Sequence, residues 1–136
     1  MKTLVVYYSK SGNTRRVAEE IQKALGADTE ELVEIGTKRS GFFGFLFAGR
    51  DAMRGRSSKI EAAKKSPTDY DLVFVGSPVW GWNLVPAVRS YLTAADLKGK
   101  PVAFFCTMGS SGVAKTFAAL RELGPGWIYL LLIGVK

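Results

Sequence analysis

The sequence predicts a parallel α/β sheet in a single domain that spans residues 1–136. Short runs rich in β-branched and aromatic residues alternate with segments of helical periodicity, a pattern typical of βαβ units. The last three runs are continuously apolar, which indicates strands buried on both faces. A chain of 136 residues with 47% apolar composition suffices for the core of one ordinary domain.

Five strands and three helices follow from local patterns. The strands are predicted at Thr3–Tyr8, Glu31–Ile35, Asp71–Gly76, Pro101–Cys106 and Ile128–Ile133. The helices are predicted at about 14–25, 86–93 and 113–123, with Gly26 as the natural stop of the first. Because residues 31–35 alternate in polarity, their strand is expected at the edge of the sheet.

The segment 36–69 is longer than one crossover needs. An aromatic run within it suggests an amphipathic helix over 42–53 that packs on the sheet, with a hydrophobic lip beside a ligand or partner as the alternative. Between Lys38 and Lys65, eight Lys or Arg stand against Asp51 and Glu61, which gives a net charge of +6. A solvated surface and an anionic partner are both open interpretations of that charge.

Several function classes are disfavoured by composition. The chain has no histidine, so a zinc site or a histidine-dependent catalytic site is not expected, and no catalytic or metal-binding residue is assigned. Cys106 is the one cysteine, which excludes an internal disulfide and favours a reducing, cytoplasmic setting. Its favoured role is a buried inert thiol, with a redox thiol as the alternative. We expect no membrane insertion, since the apolar runs are short, and no nucleic-acid partner, since no such module is recognisable.

Three loops at the carboxyl ends of predicted strands could bind a ligand, because ligands bind at that edge of open α/β sheets. The first suits a phosphate, because small residues and a helix N-terminus bring amides to an anion. The second carries two tryptophans that could stack on a flat ring. The third is small and polar and could hydrogen-bond a ring edge. The candidate residues are Ser9, Lys10, Ser11, Gly12, Asn13 and Thr14; Pro78, Val79, Trp80, Gly81, Trp82 and Asn83; and Thr107, Met108, Gly109, Ser110, Ser111 and Gly112.

Taken together, the three loops predict a mononucleotide with a planar ring. Taken singly, each has a plainer interpretation. The first could be an ordinary helix-capping turn, and one tryptophan of the second could simply pack on the helix behind it. The first loop also lacks the Gly-Lys-Ser/Thr ending that a nucleoside triphosphate requires, so a single terminal phosphate is expected.

The chain resembles the flavodoxin-like FMN-binding proteins, in particular short stand-alone members. The resemblance rests on "VVYYSKSGNTRRVAEEI", "FAGRDAMRG", "YDLVFVGSPVWGWNLVPAVRSYL" and "KPVAFFCTMGSSGVAKTF". It implies a three-layer α/β fold with a five-stranded parallel sheet in the order 2-1-3-4-5. It further implies that 9–14 holds the FMN phosphate, that 78–83 frames the isoalloxazine with Trp80 or Trp82 near its face, and that 107–112 borders the flavin.

The sequence departs from this family at its end, since the helix that follows the fifth strand is not present. Right-handed crossovers would place that helix on the same face as the first helix. We therefore expect this face to be open and apolar over the last three strands and to be covered by a second copy in a homodimer, unless the sequence is a truncated form.

The resemblance implies an FMN-binding redox protein, with a flavodoxin-type electron carrier as the leading function. A small FMN-dependent quinone or other acceptor reductase is one alternative, and a flavin-free binding domain that keeps the fold is another. The expected partner is accordingly a redox protein or a small-molecule acceptor. Whether the chain is an enzyme stays open.

Overall fold

The computed structural model describes residues 1–35, 59–80, 83–108, 118 and 128–134. These residues form one sheet with two helices packed on it. Its elements are β1 (Thr3–Tyr7), α1 (Asn13–Leu25), β2 (Asp28–Glu31), a 3-10 turn (Pro67–Asp69), β3 (Leu72–Trp80), β4 (Asn83–Leu84), α2 (Pro86–Ala94), β5 (Val102–Met108) and β6 (Ile128–Gly134). The predicted helix at 42–53 and, apart from Ala118, the one at 113–123 lie outside the described residues.

The strand order is β2-β1-β3-β5-β6, and every neighbouring pair along this path is parallel. With the five long strands counted in sequence, this is the predicted order 2-1-3-4-5. The short strand β4 lies off the path and pairs antiparallel with the end of β3. The predicted α/β fold is therefore confirmed.

The central strands are buried on both faces, as their continuous apolar runs predict. All five residues of β1 are buried, and so is β5 from Val102 to Thr107. On one face, Leu4, Val75 and Phe104 belong to a cluster that includes the α2 residues Val88 and Leu92. Burying each such side chain contributes about 1.5–3 kcal/mol, so this face supplies much of the fold's stability.

The opposite face carries a smaller cluster beneath α1. Val5, Tyr7 and Phe105 pack there with Ala18, and Val17 and Ile21 lie against them. Helix α1 begins after Gly12 and ends at Gly26, which adopts a left-handed conformation with φ of 63°. Gly26 is thus the helix stop that the sequence predicts.

Phe105 takes the space above the glycine of the neighbouring strand. Gly76 is its register partner, and a Cβ built on Gly76 would lie 2.1 Å from Phe105 Cζ. Only a glycine fits beneath the ring. Phe105 is fully buried and Ala103, two residues earlier on the same face, is 8% exposed. The solvent exposure that we expect on this face therefore does not include Ala103 and Phe105 of β5. The homodimer stays a prediction.

The second strand lies earlier than predicted. It spans Asp28–Glu31 rather than 31–35, and it pairs with Leu4–Tyr7 at the edge of the sheet. The chain turns directly at Gly26 into the strand, so its first residues meet β1. The alternating residues that suggested a strand instead pair antiparallel with the segment 59–67, which we call the strap, through a bridge between Glu34 and Ile60.

Candidate functional site

The carboxyl ends of β1, β3 and β5 meet at one edge, because the three strands are parallel neighbours. β1 lies between β2 and β3 in the sheet. The chain therefore passes from β1 to β2 on one side and then returns to the sheet as β3 on the other side of β1, which reverses the strand order. In open α/β sheets, ligands bind at the carboxyl edge where such a reversal of strand order leaves a crevice. All three predicted loops start at this edge.

The loop 9–14 ends in a helix start shaped by glycine. Gly12 has a φ of 96° and is the N-cap of α1, with no side chain capping the helix among the described residues. The Ser9 Oγ accepts a hydrogen bond from the Gly12 N–H at 3.1 Å, which closes the loop on itself. Amides of the first turn of a helix have no partner inside the helix. The loop therefore presents donors without a side chain in their way.

The charge around this helix start favours an anion. The first turn of α1 contains no acidic residue, and Arg15 and Arg16 lie within it. Basic residues at a helix N-terminus oppose the helix dipole, so each costs stability unless a negative charge lies nearby, as Glu31 does for Arg15. Lys10 is exposed at the same loop.

Arg15 is paired with an acidic residue of β2 and also lies beside the loop, since a Cβ built on Gly12 would be 3.9 Å from its Nη1. Its guanidinium donates to Glu31 Oε1 at 2.5 Å. Burial raises the pKa of Tyr7, and the negative charge of Glu31 raises it further. Arg15 thus joins α1 to the end of β2, a role that sequence reasoning missed because it depends on the position of β2.

A buried contact joins the first loop to the third. Thr14 Oγ1 and Thr107 Oγ1 lie 2.8 Å apart, and the two residues are 1% and 4% exposed. The sequence predicts both as ligand-binding residues but does not predict their contact, which spans 93 positions. The Thr14 hydroxyl fixes the start of α1 to the end of β5.

The second predicted loop is largely a hairpin. β3 continues through Pro78 to Trp80, and the register Val79↔Leu84 and Trp80↔Asn83 folds it back on β4. Pro78, Val79, Trp80 and Asn83 are therefore strand residues, which corrects the predicted end of the strand at Gly76. Gly81 and Trp82 lie outside the described residues.

Ser77 anchors this hairpin to α2. It is 1% exposed, its Oγ donates to the Pro78 carbonyl at 2.8 Å, and the same Oγ accepts from the Val85 N–H at 3.2 Å. Val85 is the N-cap of α2. One hydroxyl therefore connects the end of β3 to the start of the next helix. Sequence reasoning did not single out Ser77.

The third predicted loop begins later than expected. β5 extends past Cys106 to include Thr107 and Met108, with Thr107 opposite Pro78. Gly109, Ser110, Ser111 and Gly112 lie outside the described residues. Cys106 is fully buried, as predicted, and burial raises the pKa of its thiol to about 12.

The family model described as flavodoxin matches residues 2–131. The chain belongs to the flavodoxin family. Among the described residues of this flavodoxin, no helix is long and apolar enough to cross a membrane.

Solved structures of other flavoproteins share its fold. A flavoprotein in complex with FMN from Lactobacillus acidophilus NCFM is 25% identical, with a TM-score of 0.78 over 98% of this chain and 91% of that one. The apo-form of the flavoprotein from the same organism is 20% identical, with a TM-score of 0.68 over 95% and 91% of the two chains. Oxidised Flavodoxin 2 from Bacillus cereus is 22% identical, with a TM-score of 0.60 over 100% and 86%.

Proposed function

We propose that this flavodoxin binds FMN non-covalently at the carboxyl edge and serves as an electron carrier. The observation that carries the proposal is the helix start at Gly12, whose left-handed backbone and basic first turn lie at the reversal of strand order. The similar flavoprotein in complex with FMN supports the choice of ligand.

The described residues fit the phosphate end of FMN. A monophosphate accepts several hydrogen bonds and carries negative charge, which the first-turn amides and the dipole of α1 satisfy. Ser9 keeps its hydroxyl proton for donation while its oxygen accepts from Gly12. Ser11 is exposed and Asn13 is half-buried at the same loop, so both can reach an anion.

The other two segments would hold the flavin ring. Thr107 and the hairpin strands β3 and β4 would border the flavin. Residues 109–112, which follow β5 in the sequence, are predicted to border it as well. Trp80 ends β3 at this edge, where an aromatic side chain can stack on a flat ring. Bound FMN supplies one-electron and two-electron redox chemistry. The chain orients it, and the partner would be a redox protein or a small-molecule acceptor.

The visible spectrum of the purified protein, followed by titration of the apoprotein with FMN and with riboflavin, tests the ligand. Because riboflavin lacks the phosphate, we expect FMN to bind at least tenfold more tightly, with quenching of flavin fluorescence as the readout. Equal affinities would contradict a phosphate site at 9–14. No binding of either flavin would instead favour the flavin-free domain.

A second assay separates the carrier from the reductase. The FMN-loaded chain is mixed with NADH or NADPH and a quinone, and the oxidation of the nicotinamide is followed. A carrier has no site for the nicotinamide, so we expect no steady turnover. Sustained turnover with either reductant would favour the acceptor reductase.

A further inference from the structure

A second cavity lies away from the carboxyl edge, between the strap and the C-terminal half of α2. Its volume is about 510 Å³, within the range of small-molecule sites. Its walls come from residues 60–67 on one side and from Tyr91, Ala94 and Ala95 on the other. None of the predicted flavin-binding residues lines it. The cavity is therefore separate from the proposed FMN site.

Hydrogen bonds and core packing within the protein hold both walls of this cavity in place. The Glu30 carboxylate accepts from the backbone N–H groups of Lys64 and Lys65, at 2.5 and 2.9 Å from its Oε1. The Lys65 Nζ donates to the Thr29 carbonyl at 2.7 Å. On the other side, Leu92 anchors α2 in the core. A site with fixed walls loses little conformational freedom when a ligand binds.

Tyr91 lines this cavity, and its hydroxyl is buried without a hydrogen-bond partner among the described residues. The residue is 3% exposed, and its Oη has no hydrogen-bond partner in the described part of the chain. Buried polar groups in folded proteins are almost always hydrogen-bonded, and an exception needs an explanation. A ligand that accepts a hydrogen bond in the cavity would supply the missing partner.

The surrounding charges favour a neutral ligand. Glu61 and Asp96 line the cavity together with Lys64 and Lys65, so the lining has no net charge to attract an ion. Burial raises the pKa of Tyr91 to about 12, and the negative charge of Glu30 adds to the effect. Tyr91 therefore keeps its proton and acts as a donor, while a carboxylate ligand would meet repulsion from Glu30.

We propose that this cavity binds a small, neutral, largely apolar molecule whose carbonyl oxygen accepts a hydrogen bond from the Tyr91 hydroxyl. Alanines on both walls, Ala62 and Ala63 opposite Ala94 and Ala95, leave room for an aromatic or alicyclic body. The proposal is independent of flavin binding, since it rests on residues outside the carboxyl edge.

Three probes of one shape test the proposal: 2-acetylnaphthalene, 2-ethylnaphthalene without the carbonyl, and anionic 2-naphthoate. Each is titrated into the full chain saturated with FMN, and binding is followed by amide chemical shifts. We expect the ketone to bind most tightly, with saturating shifts at 60–67 and 91–96 and no displacement of FMN. Tighter binding of the naphthoate, shifts only at the carboxyl edge, or release of FMN would overturn it.

Tyr91→Phe removes the donor and keeps the shape. We expect the ketone to bind about tenfold more weakly to this variant, while 2-ethylnaphthalene binds as before. Tyr70→Phe is the matched control, because the Tyr70 hydroxyl already donates to Asp28 Oδ2 at 2.7 Å and does not line the cavity. Unchanged affinity of Tyr91→Phe for the ketone would overturn the proposal.

The thermal stability of the unliganded variant gives a second readout. An unsatisfied hydroxyl contributes nothing to folding, so the Tm of Tyr91→Phe should equal or exceed that of the original chain. A fall of about 4 °C or more would show that the hydroxyl already has a partner in the folded protein, which would overturn the proposal.

Discussion

At the scale of single residues, Gly12 shows how one backbone angle shapes the loop that we propose binds the FMN phosphate. Its φ of 96° lies in a region that costs other L-residues about 1–2 kcal/mol, and its position at the N-cap brings the chain into α1 without a side chain over the first-turn amides. We expect this geometry to matter for ligand binding as well as for the helix.

Gly12→Ala should therefore weaken FMN binding by about tenfold and lower the free energy of unfolding by about 1 kcal/mol. Flavin fluorescence titration and urea unfolding measure the two effects. Gly99→Ala is the matched control, because Gly99 has a φ of 71°, would place an added Cβ with no atom within 4 Å, and precedes β5 at the amino edge. It should lose similar stability and keep its FMN affinity. Equal loss of affinity in both variants would contradict a specific role for Gly12.

The Thr14–Thr107 pair gives a second prediction at this scale. Thr14→Val leaves the buried Thr107 hydroxyl without its partner, so we expect a loss of about 1–2 kcal/mol in the free energy of unfolding. Thr107→Val should cost a similar amount. The double variant should cost less than the sum, because neither hydroxyl is then left alone. A double-mutant cycle by urea unfolding measures this, and strictly additive losses would show that the two hydroxyls do not interact.

At the scale of elements, the hairpin of β3 and β4 depends on one buried serine. Ser77→Ala removes the acceptor of the Val85 N–H at the start of α2. We expect the free energy of unfolding to fall by about 1–2 kcal/mol, with faster amide exchange concentrated in 79–80, 83–85 and 87–88. Ser90→Ala, at a half-buried position of α2, is the comparison, since its hydroxyl bonds the Pro86 carbonyl within the helix. Equal effects of the two variants would argue against the anchor.

The elements also show what local patterns can and cannot predict. Continuous apolar runs locate β1, β3, β5 and β6, because a strand that is buried on both faces needs apolar residues at successive positions. β2 was misplaced, since its residues 28–31 are polar and its position comes from pairing with β1. The alternation at 31–35 is real but reflects an antiparallel bridge to Ile60, far along the chain.

The candidate site shows the same difference between features that local patterns predict and features that depend on long-range contacts. The loop 9–14 could be found from its small residues and the helix after it, because the signal is local. The contact between Thr14 and Thr107 and the anchoring of Val85 by Ser77 depend on which strands become neighbours. The extension of β3 through Pro78 was missed because proline usually ends a strand, whereas here a two-residue partner strand continues the pairing.

At the scale of the whole molecule, the two sheet faces bury several ionisable groups in their neutral forms. Burial raises the pKa of the Cys106 thiol from 9.0 to about 12. The hydrogen bond to Asp28, followed by burial, raises the pKa of Tyr70 from 10.0 to about 12, and burial does the same for Tyr91. The folded chain thus holds protons that the unfolded chain releases.

Stability should consequently fall at alkaline pH. Below about pH 9 these groups are protonated in both the folded and the unfolded chain, and their contribution to stability is fully present. As the pH rises towards 12, the unfolded chain loses these protons before the folded chain does, so the free energy of unfolding decreases. Urea unfolding at a series of pH values measures the slope. Cys106→Ala should remove the earliest part of the decline, between about pH 9 and 10, and leave the tyrosine part. A constant free energy from pH 9 to 11 would contradict the assignment.

The contact between Thr14 and Thr107 has a consequence for the order in which the protein becomes functional during synthesis. The loop 9–14 is among the first segments to leave the ribosome, but the residue that fixes its helix start lies on β5, more than ninety positions later. A nascent chain that has not yet released β5 therefore has the proposed phosphate-binding sequence without its support. We expect FMN to be captured only after the parallel strands β1, β3 and β5 have joined.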